Sequence, residues 1–130
     1  MRLLVDTHVL LWAAAEPARL PAAFRQRLES PEAEVLFSAA SIWELAIKLQ
    51  LGRLSLPVDL EAFAQGAIAR GFRELPVTSA HAARVRSLPL HHRDPFDRLL
   101  VAQAICEPAR LLTVDRALAP YSELVEVGTG

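Results

Sequence analysis

The sequence predicts an α/β fold: a three-layer α/β/α sandwich with a central parallel sheet. Short apolar runs, RLLV, EVLFS and RLLTV among them, recur along the chain. Segments with helical spacing of apolar residues separate them, and strands alternating with helices build a parallel sheet covered on both faces. No internal repeat and no Gly/Ser-rich linker interrupts the 130 residues, of which 52% are apolar and 22% charged. Residues 1–130 are therefore expected to form a single domain with a proper core.

The first strand is expected at residues 2–5, closed by Asp6. Helix follows over 9–15, with Trp12 inside it, until Glu16-Pro17 stops it. Pro21 suits the first turn of a second helix over 21–30, on which Phe24 and Leu28 fall four apart. A second strand over 34–38 leads into a helix over 40–51, where Ile42, Leu45, Ala46 and Leu49 share one face and Gly52 is a C-cap. Helix is expected again over 60–70, ended by Gly71, and then a weaker strand over 73–77. Thr78 or Ser79 caps a helix running to Ser87, which Leu88-Pro89 breaks. Asp94-Pro95 opens a strong helix bearing Leu100, Val101, Ala104 and Ile105, closed by Glu107-Pro108. Strands over 110–114 and 124–127 complete the pattern.

Composition excludes several classes. One cysteine, Cys106, cannot form an internal disulfide and suits a reducing cytoplasm. The N-terminal apolar run is broken by Asp6 and His8, which is wrong for a signal peptide. No stretch reaches the ~18 apolar residues of a membrane span. A cytoplasmic protein without a membrane partner is expected. The net charge of −1 gives no support for a general polyanion binder. Function must therefore be read from where the charges sit.

In an open parallel sheet, ligands bind beyond the carboxyl ends of the strands. Two apolar runs end directly in acids there, LLV-Asp6 and LLTV-Asp115. Glu44 lies one turn into the helix after EVLFS, and Asp97 lies in the first turn of the helix after HHR. Each has an ordinary explanation. Asp6 and Asp115 suit helix caps, Asp94-Pro95-Phe96-Asp97 reads as N-cap through N3, and Glu44, in the otherwise apolar SIWELAI, is harder to dismiss, a solvated helix edge being its alternative. Together they are more specific. Carboxylates about 6 Å apart, at an effective dielectric of about 20, repel by roughly 2–3 kcal/mol for each pair. A set of four would cost on the order of 15 kcal/mol, as much as a whole domain's stability. Such a set must take up protons or bind a cation, and all-oxygen ligation favours Mg²⁺ or Mn²⁺. A carboxylate-held ion with open positions suits phosphodiester hydrolysis, and Arg93 and Arg98 stand near enough in sequence to hold a nucleic-acid backbone, with a solvated helix start as the alternative for both.

The succession DTHVLLW, SAASIWELAIKLQLGRL, HHRDPFDRLLVAQA and LLTVD closely resembles the PIN-domain family, and within it the VapC-type toxins of prokaryotic toxin–antitoxin pairs. The resemblance spans nearly the whole chain. It implies an α/β/α sandwich and a Mg²⁺- or Mn²⁺-dependent endoribonuclease, forming a homodimer and inhibited by a small VapB-like antitoxin. Asp6, Glu44, Asp97 and Asp115 match the family's four acidic positions in order. Asp6 and Asp97 are expected to hold the metal, with Glu44 and Asp115 completing the shell as ligands or by handling the attacking water. His8 departs from the asparagine common in the broader family. Asp94 is an extra acid that competes with Asp97 for the role of ligand, and Thr113 is a candidate supporting hydroxyl.

Other residues are expected to be ordinary. His81 reads as surface or packed, His91 and His92 as solvated loop with substrate contact as the alternative, and Cys106 as buried filler. Ser38 and Ser41 read as helix caps, with orientation of Glu44 as the alternative. Trp12, Trp43 and Phe96 read as core or as an apolar surface that a partner covers. A phosphoacceptor receiver fails, because the only lysine, Lys48, is in mid-chain and Thr78 follows the third strand. A phosphatase with Asp6 as nucleophile fails because His8 stands where a second aspartate belongs. The remaining alternative is a non-catalytic PIN-like binding module.

Overall fold

In the computed structural model, which describes residues 1–129, Arg2–Val5 (β1) is the central strand of a five-stranded sheet. Glu34–Ser38 (β2) and Arg110–Thr113 (β4) flank it, with Arg73–Leu75 (β3) and Val125–Val127 (β5) at the edges. Every pairing is parallel, with Leu4 opposite Leu36 on one side and Leu111 on the other. The expected α/β/α sandwich is the observed one.

The helices are Thr7–Ala15 (α1), Ala22–Glu29 (α2), Ala39–Gln50 (α3), Leu60–Ala69 (α4), Ser79–Arg84 (α5) and Pro95–Cys106 (α6). The strands are apolar on both faces because both are covered. Leu3, Val5, Val35, Phe37 and Leu112 pack with Val9, Phe24, Leu45 and Phe63 in one core layer. Leu4, Leu36, Leu75 and Leu111 point the other way, onto Leu100, Val101, Ala104 and Leu118. The alternation along each strand thus distributes apolar side chains to two cores rather than to core and solvent.

Boundaries moved where local chemistry decided them. The helix expected to reach Ser87 tightens into a 3₁₀ turn at Val85–Ser87, and a further 3₁₀ helix, Arg116–Tyr121, follows β4. The third strand stops at Leu75, before Pro76, which has no amide proton to give the ladder. Gly52 does terminate α3: its φ of 71° lets Arg53 N–H reach back to the Lys48 carbonyl at 2.9 Å. No helix among the described residues is long and apolar enough to cross a membrane.

In chain numbering the sheet runs β3-β2-β1-β4-β5, so connections leave β1 and β4 in opposite directions. That switch point opens a crevice beyond the carboxyl ends of these two strands.

Candidate active site

A cleft of about 380 Å³ occupies this crevice, lined by Asp6, Thr7, His8, Glu44, Lys48, Asp94, Asp97, Val114 and Asp115. All four acids singled out in the sequence line it, as does Asp94.

Asp6 follows β1 and continues its ladder, its N–H meeting the Leu112 carbonyl at 3.0 Å. It also caps α1, its Oδ1 accepting from Val9 N at 2.8 Å. Oδ2 accepts from Thr113 Oγ1 at 2.6 Å, and that hydroxyl accepts in turn from Asp115 N at 3.0 Å. Thr113, fully buried, therefore ties the two strand-end acids together. Burial pushes the Asp6 carboxyl up, opposed by the hydrogen bonds from Thr113 and Val9.

Glu44 is buried one turn into α3. The Thr7 hydroxyl lies 2.7 Å from its Oε1 and 2.9 Å from Ser41 Oγ; having one proton, it donates to the carboxylate and accepts from Ser41. Lys48, one turn on, pairs with Oε2 at 3.1 Å. Ser38 caps α3 through Ala40 N. Ser41 thus does the orienting of Glu44, through Thr7, and Ser38 the capping.

Asp94 is the N-cap of α6, its Oδ1 accepting from Phe96 N at 2.8 Å and Asp97 N at 3.2 Å. The Asp97 side chain accepts no hydrogen bond from the described residues beyond the approach of His92 Nε2 at 3.7 Å. Burial, then the negative charges of Asp94, Asp6 and Glu44, raise its carboxyl to about 7, with His92 pulling the other way.

His92 corrects the solvated-loop expectation. Its Nδ1 accepts from Asp94 N at 3.0 Å, so Nε2 carries the proton and donates to Asp115 Oδ2 at 3.1 Å. Asp115 Oδ1 accepts from Ala117 N, capping the following 3₁₀ helix. His92, Asp97 and Asp115 are the one group of three among the described residues whose potential ligand atoms lie within 4.8 Å of one another. The histidine proton faces the carboxylate, which suits orientation of Asp115 better than ligation. The donor set that remains is all oxygen, with Asp6 and Glu44 buried, Asp97 half-buried and Asp115 the most open to solvent, and the mutual repulsion of such carboxylates is what a hard divalent cation relieves.

Arg98 departs from expectation. It is 9% exposed and donates to the carbonyls of Val85 at 3.2 Å and Pro89 at 2.9 Å, and to Tyr121 Oη at 3.1 Å. A guanidinium spent on three internal acceptors fixes the segment before α6 and has no fork left for a phosphate. Arg93 is exposed, without an ion pair among the described residues. Cys106, expected as filler, is exposed at the last residue of α6. His81 is buried and completes a capping box with Thr78 while its Nε2 meets Glu107 Oε2 at 2.8 Å. His91 is exposed, its ring edge-on to Tyr121. Trp43 is 62% exposed, which excludes it from the core.

The PIN domain family matches this chain over residues 3–124, a span that includes every acid of the cleft. The chain belongs to the PIN-domain family. Within the family it is of the VapC type, being 37% identical over 119 residues to Ribonuclease VapC22 of Mycobacterium tuberculosis, across 91% of this chain and 90% of that one. Among solved structures it is similar to VapBC2 from Rickettsia felis bound to a promoter DNA fragment, with a TM-score of 0.72 and 15% identity over 99% of this chain and 100% of that one. It is also similar to FitAcB from Neisseria gonorrhoeae, with a TM-score of 0.59 and 23% identity over 89% of each. At those identities the likeness establishes the shared PIN fold.

Proposed function

We propose that this VapC-type PIN protein is a metal-dependent endoribonuclease, the toxin of a toxin–antitoxin pair, acting in the cytoplasm. One observation carries the reading: Asp6, Glu44, Asp97 and Asp115, from four separate stretches of chain, share one cleft at the topological switch point of the sheet. The named ribonuclease relative and the similarity to a solved VapBC structure support the activity and the partner class.

Asp6 and Asp97 would hold a Mg²⁺ or Mn²⁺ ion, with Asp97 the freer of the two acids at the start of α6, since Asp94 is engaged as the cap. Bound there, such an ion polarises the scissile phosphate and makes a water more acidic. Thr113 fixes the Asp6 rotamer through Oδ2, and His92 fixes Asp115 through its Nε2–H. Glu44 and Asp115 complete the shell or accept the proton of the attacking water as its oxygen bonds to phosphorus and an ester oxygen leaves. Lys48, paired with Glu44, offsets part of the negative charge that an incoming polyanion meets.

The purified chain should cut single-stranded RNA with Mg²⁺ or Mn²⁺ and stop with EDTA, and Asp6→Asn should abolish cleavage. Cleavage by that variant at the parent rate would remove Asp6 from the mechanism. The proposed partners are a VapB-like antitoxin and a second copy of the chain. A clean 14 kDa species by light scattering at micromolar concentration would refute the homodimer.

A further inference from the structure

Residues 89–93, which carry the chain into α6, form no backbone–backbone hydrogen bond among the described residues. Side chains hold this segment instead. Arg98 binds its start through the Pro89 carbonyl, and Tyr121 binds its end. The Tyr121 hydroxyl accepts from His92 N at 2.8 Å and from Arg98 Nη1 at 3.1 Å, and its own proton faces the His92 carbonyl at 3.4 Å. A hydroxyl has two lone pairs and one proton to offer, so all of its capacity goes to Arg98 and to the backbone of one residue. That residue is His92, whose ring stands between Asp115 Oδ2, at 3.1 Å, and Asp97 Oδ2, at 3.7 Å.

Tyr121 is also the last residue of the 3₁₀ helix that Asp115 caps. His92 is therefore tied to that one helix at both ends, its ring to the capping residue and its backbone to the final one. The contacts close a ring. A second tie runs through Arg98, the residue after Asp97 on α6, so one hydroxyl links the helix that carries Asp97 to the helix that Asp115 caps. The phenol is held from behind, since Tyr121 is buried in the core layer of Leu100 and Leu118.

We propose that Tyr121 is a positioning residue for the carboxylate cleft: its hydroxyl fixes the backbone of His92, which aims the Nε2–H at Asp115 and sets where that acid lies relative to Asp97. The inference rests on the metal-dependent ribonuclease reading and names what shapes its ligand set. The ring alone would serve packing, and a phenylalanine would fill the same space; the oxygen is what reaches His92.

Tyr121→Phe keeps the ring and removes that oxygen. Calorimetric titration with Mn²⁺ should show an affinity about tenfold or more below the parent's, the usual effect of removing support from a metal ligand. In the metal-free protein at alkaline pH, the ring ¹⁵N shifts of His92 should pass from the single Nε2–H form to a mixture of tautomers. The decisive comparison places the same substitution in a His92→Asn chain, which already lacks the contact with Asp115. There it should lower Mn²⁺ affinity no further, because residues that act through one another are not additive. An equal loss in both backgrounds would make Tyr121 a general support of the fold and overturn the proposal. Unchanged affinity, or unchanged ring shifts, in the single variant would overturn it too, by showing that His92 holds its place unaided. Should the parent bind Mn²⁺ yet cut no RNA, the ribonuclease reading fails and the positioning role stands. Should it bind no Mn²⁺, the metal reading fails and the ring shifts alone decide the role of Tyr121.

Discussion

Replacing Asp97 by asparagine keeps the shape of the side chain and removes one charge from the cleft, which separates stability from activity. In the folded chain this carboxyl titrates near 7 rather than at 3.8, chiefly because it is buried and secondarily because Asp94, Asp6 and Glu44 repel its charge. Below pH 3.8 it is protonated in folded and unfolded chains alike and costs nothing. Between 3.8 and 7 the unfolded chain releases the proton while the folded chain keeps it, so stability falls by about 1.36 kcal/mol for each pH unit. Above 7 the cost stops growing, at about 4 kcal/mol as an upper bound. With the side chain 19% exposed, water screens part of it, and about 2–4 kcal/mol is the reasonable range.

Asp97→Asn should therefore be more stable than the parent at pH 8 in EDTA by about 2–4 kcal/mol, or roughly 7–15 °C in Tm for a chain of this length. Near pH 4 the two should melt together. Saturating Mn²⁺ should raise the Tm of the parent, because an ion bound only by the folded state adds about 2.7 kcal/mol at one hundred times its Kd. The variant should gain much less and cut RNA poorly. Thermal melts at the two pH values, with and without Mn²⁺, are the assay. A variant less stable than the parent at pH 8 without metal would refute the claim that these acids repel one another in the empty cleft.

Three further outcomes follow from the contacts around the acids. His92→Gln keeps a donor long enough to reach Asp115 and should hold kcat/KM within a few fold, whereas His92→Asn keeps only the acceptor for Asp94 N–H and should lose about 10–100-fold; equal rates would exclude the orienting role. Thr113→Val removes the hydroxyl shared by Asp6 and Asp115 N and should weaken Mn²⁺ binding about 10–100-fold by calorimetry. Unchanged affinity would mean that Asp6 needs no such support. Arg98→Ala leaves its internal acceptors without a donor and should lower stability by about 2–4 kcal/mol in urea titrations while leaving the salt dependence of RNA binding unchanged. A lower salt slope in that variant would restore Arg98 as a phosphate contact.

What could be read from the chain divides by distance along it. Strand ends, helix starts and the Gly52 stop are local events, set by apolar runs, caps and the residues that break them, and these placed Asp6, Glu44, Asp97 and Asp115 at one sheet edge. Lys48 was equally legible, at i,i+4 from Glu44, but nothing marked that pair as part of the site. His92 and Arg98 were not legible, since their roles depend on Asp115 and Tyr121, each 23 residues away, and on which side of α6 the preceding loop folds. Arg98 stands next to Asp97 in sequence yet points into the protein, because neighbours on a helix face directions about 100° apart.

For Asp6 and Asp115, capping and the acidic cleft, weighed in the sequence as rival explanations, turn out to be the same arrangement. A carboxylate has two oxygens. Asp6 gives one to Val9 N–H and the other to Thr113, and Asp115 gives one to Ala117 N–H and the other to His92. Capping locks each side chain at the point where a strand ends and a helix begins, which in a parallel sheet is always the same edge. Those helix starts also present partial positive charge, so the folded chain tolerates acids here that it could not hold together elsewhere. An acid placed to cap is thereby placed to converge, and the repulsion left over after capping is what a cation would remove.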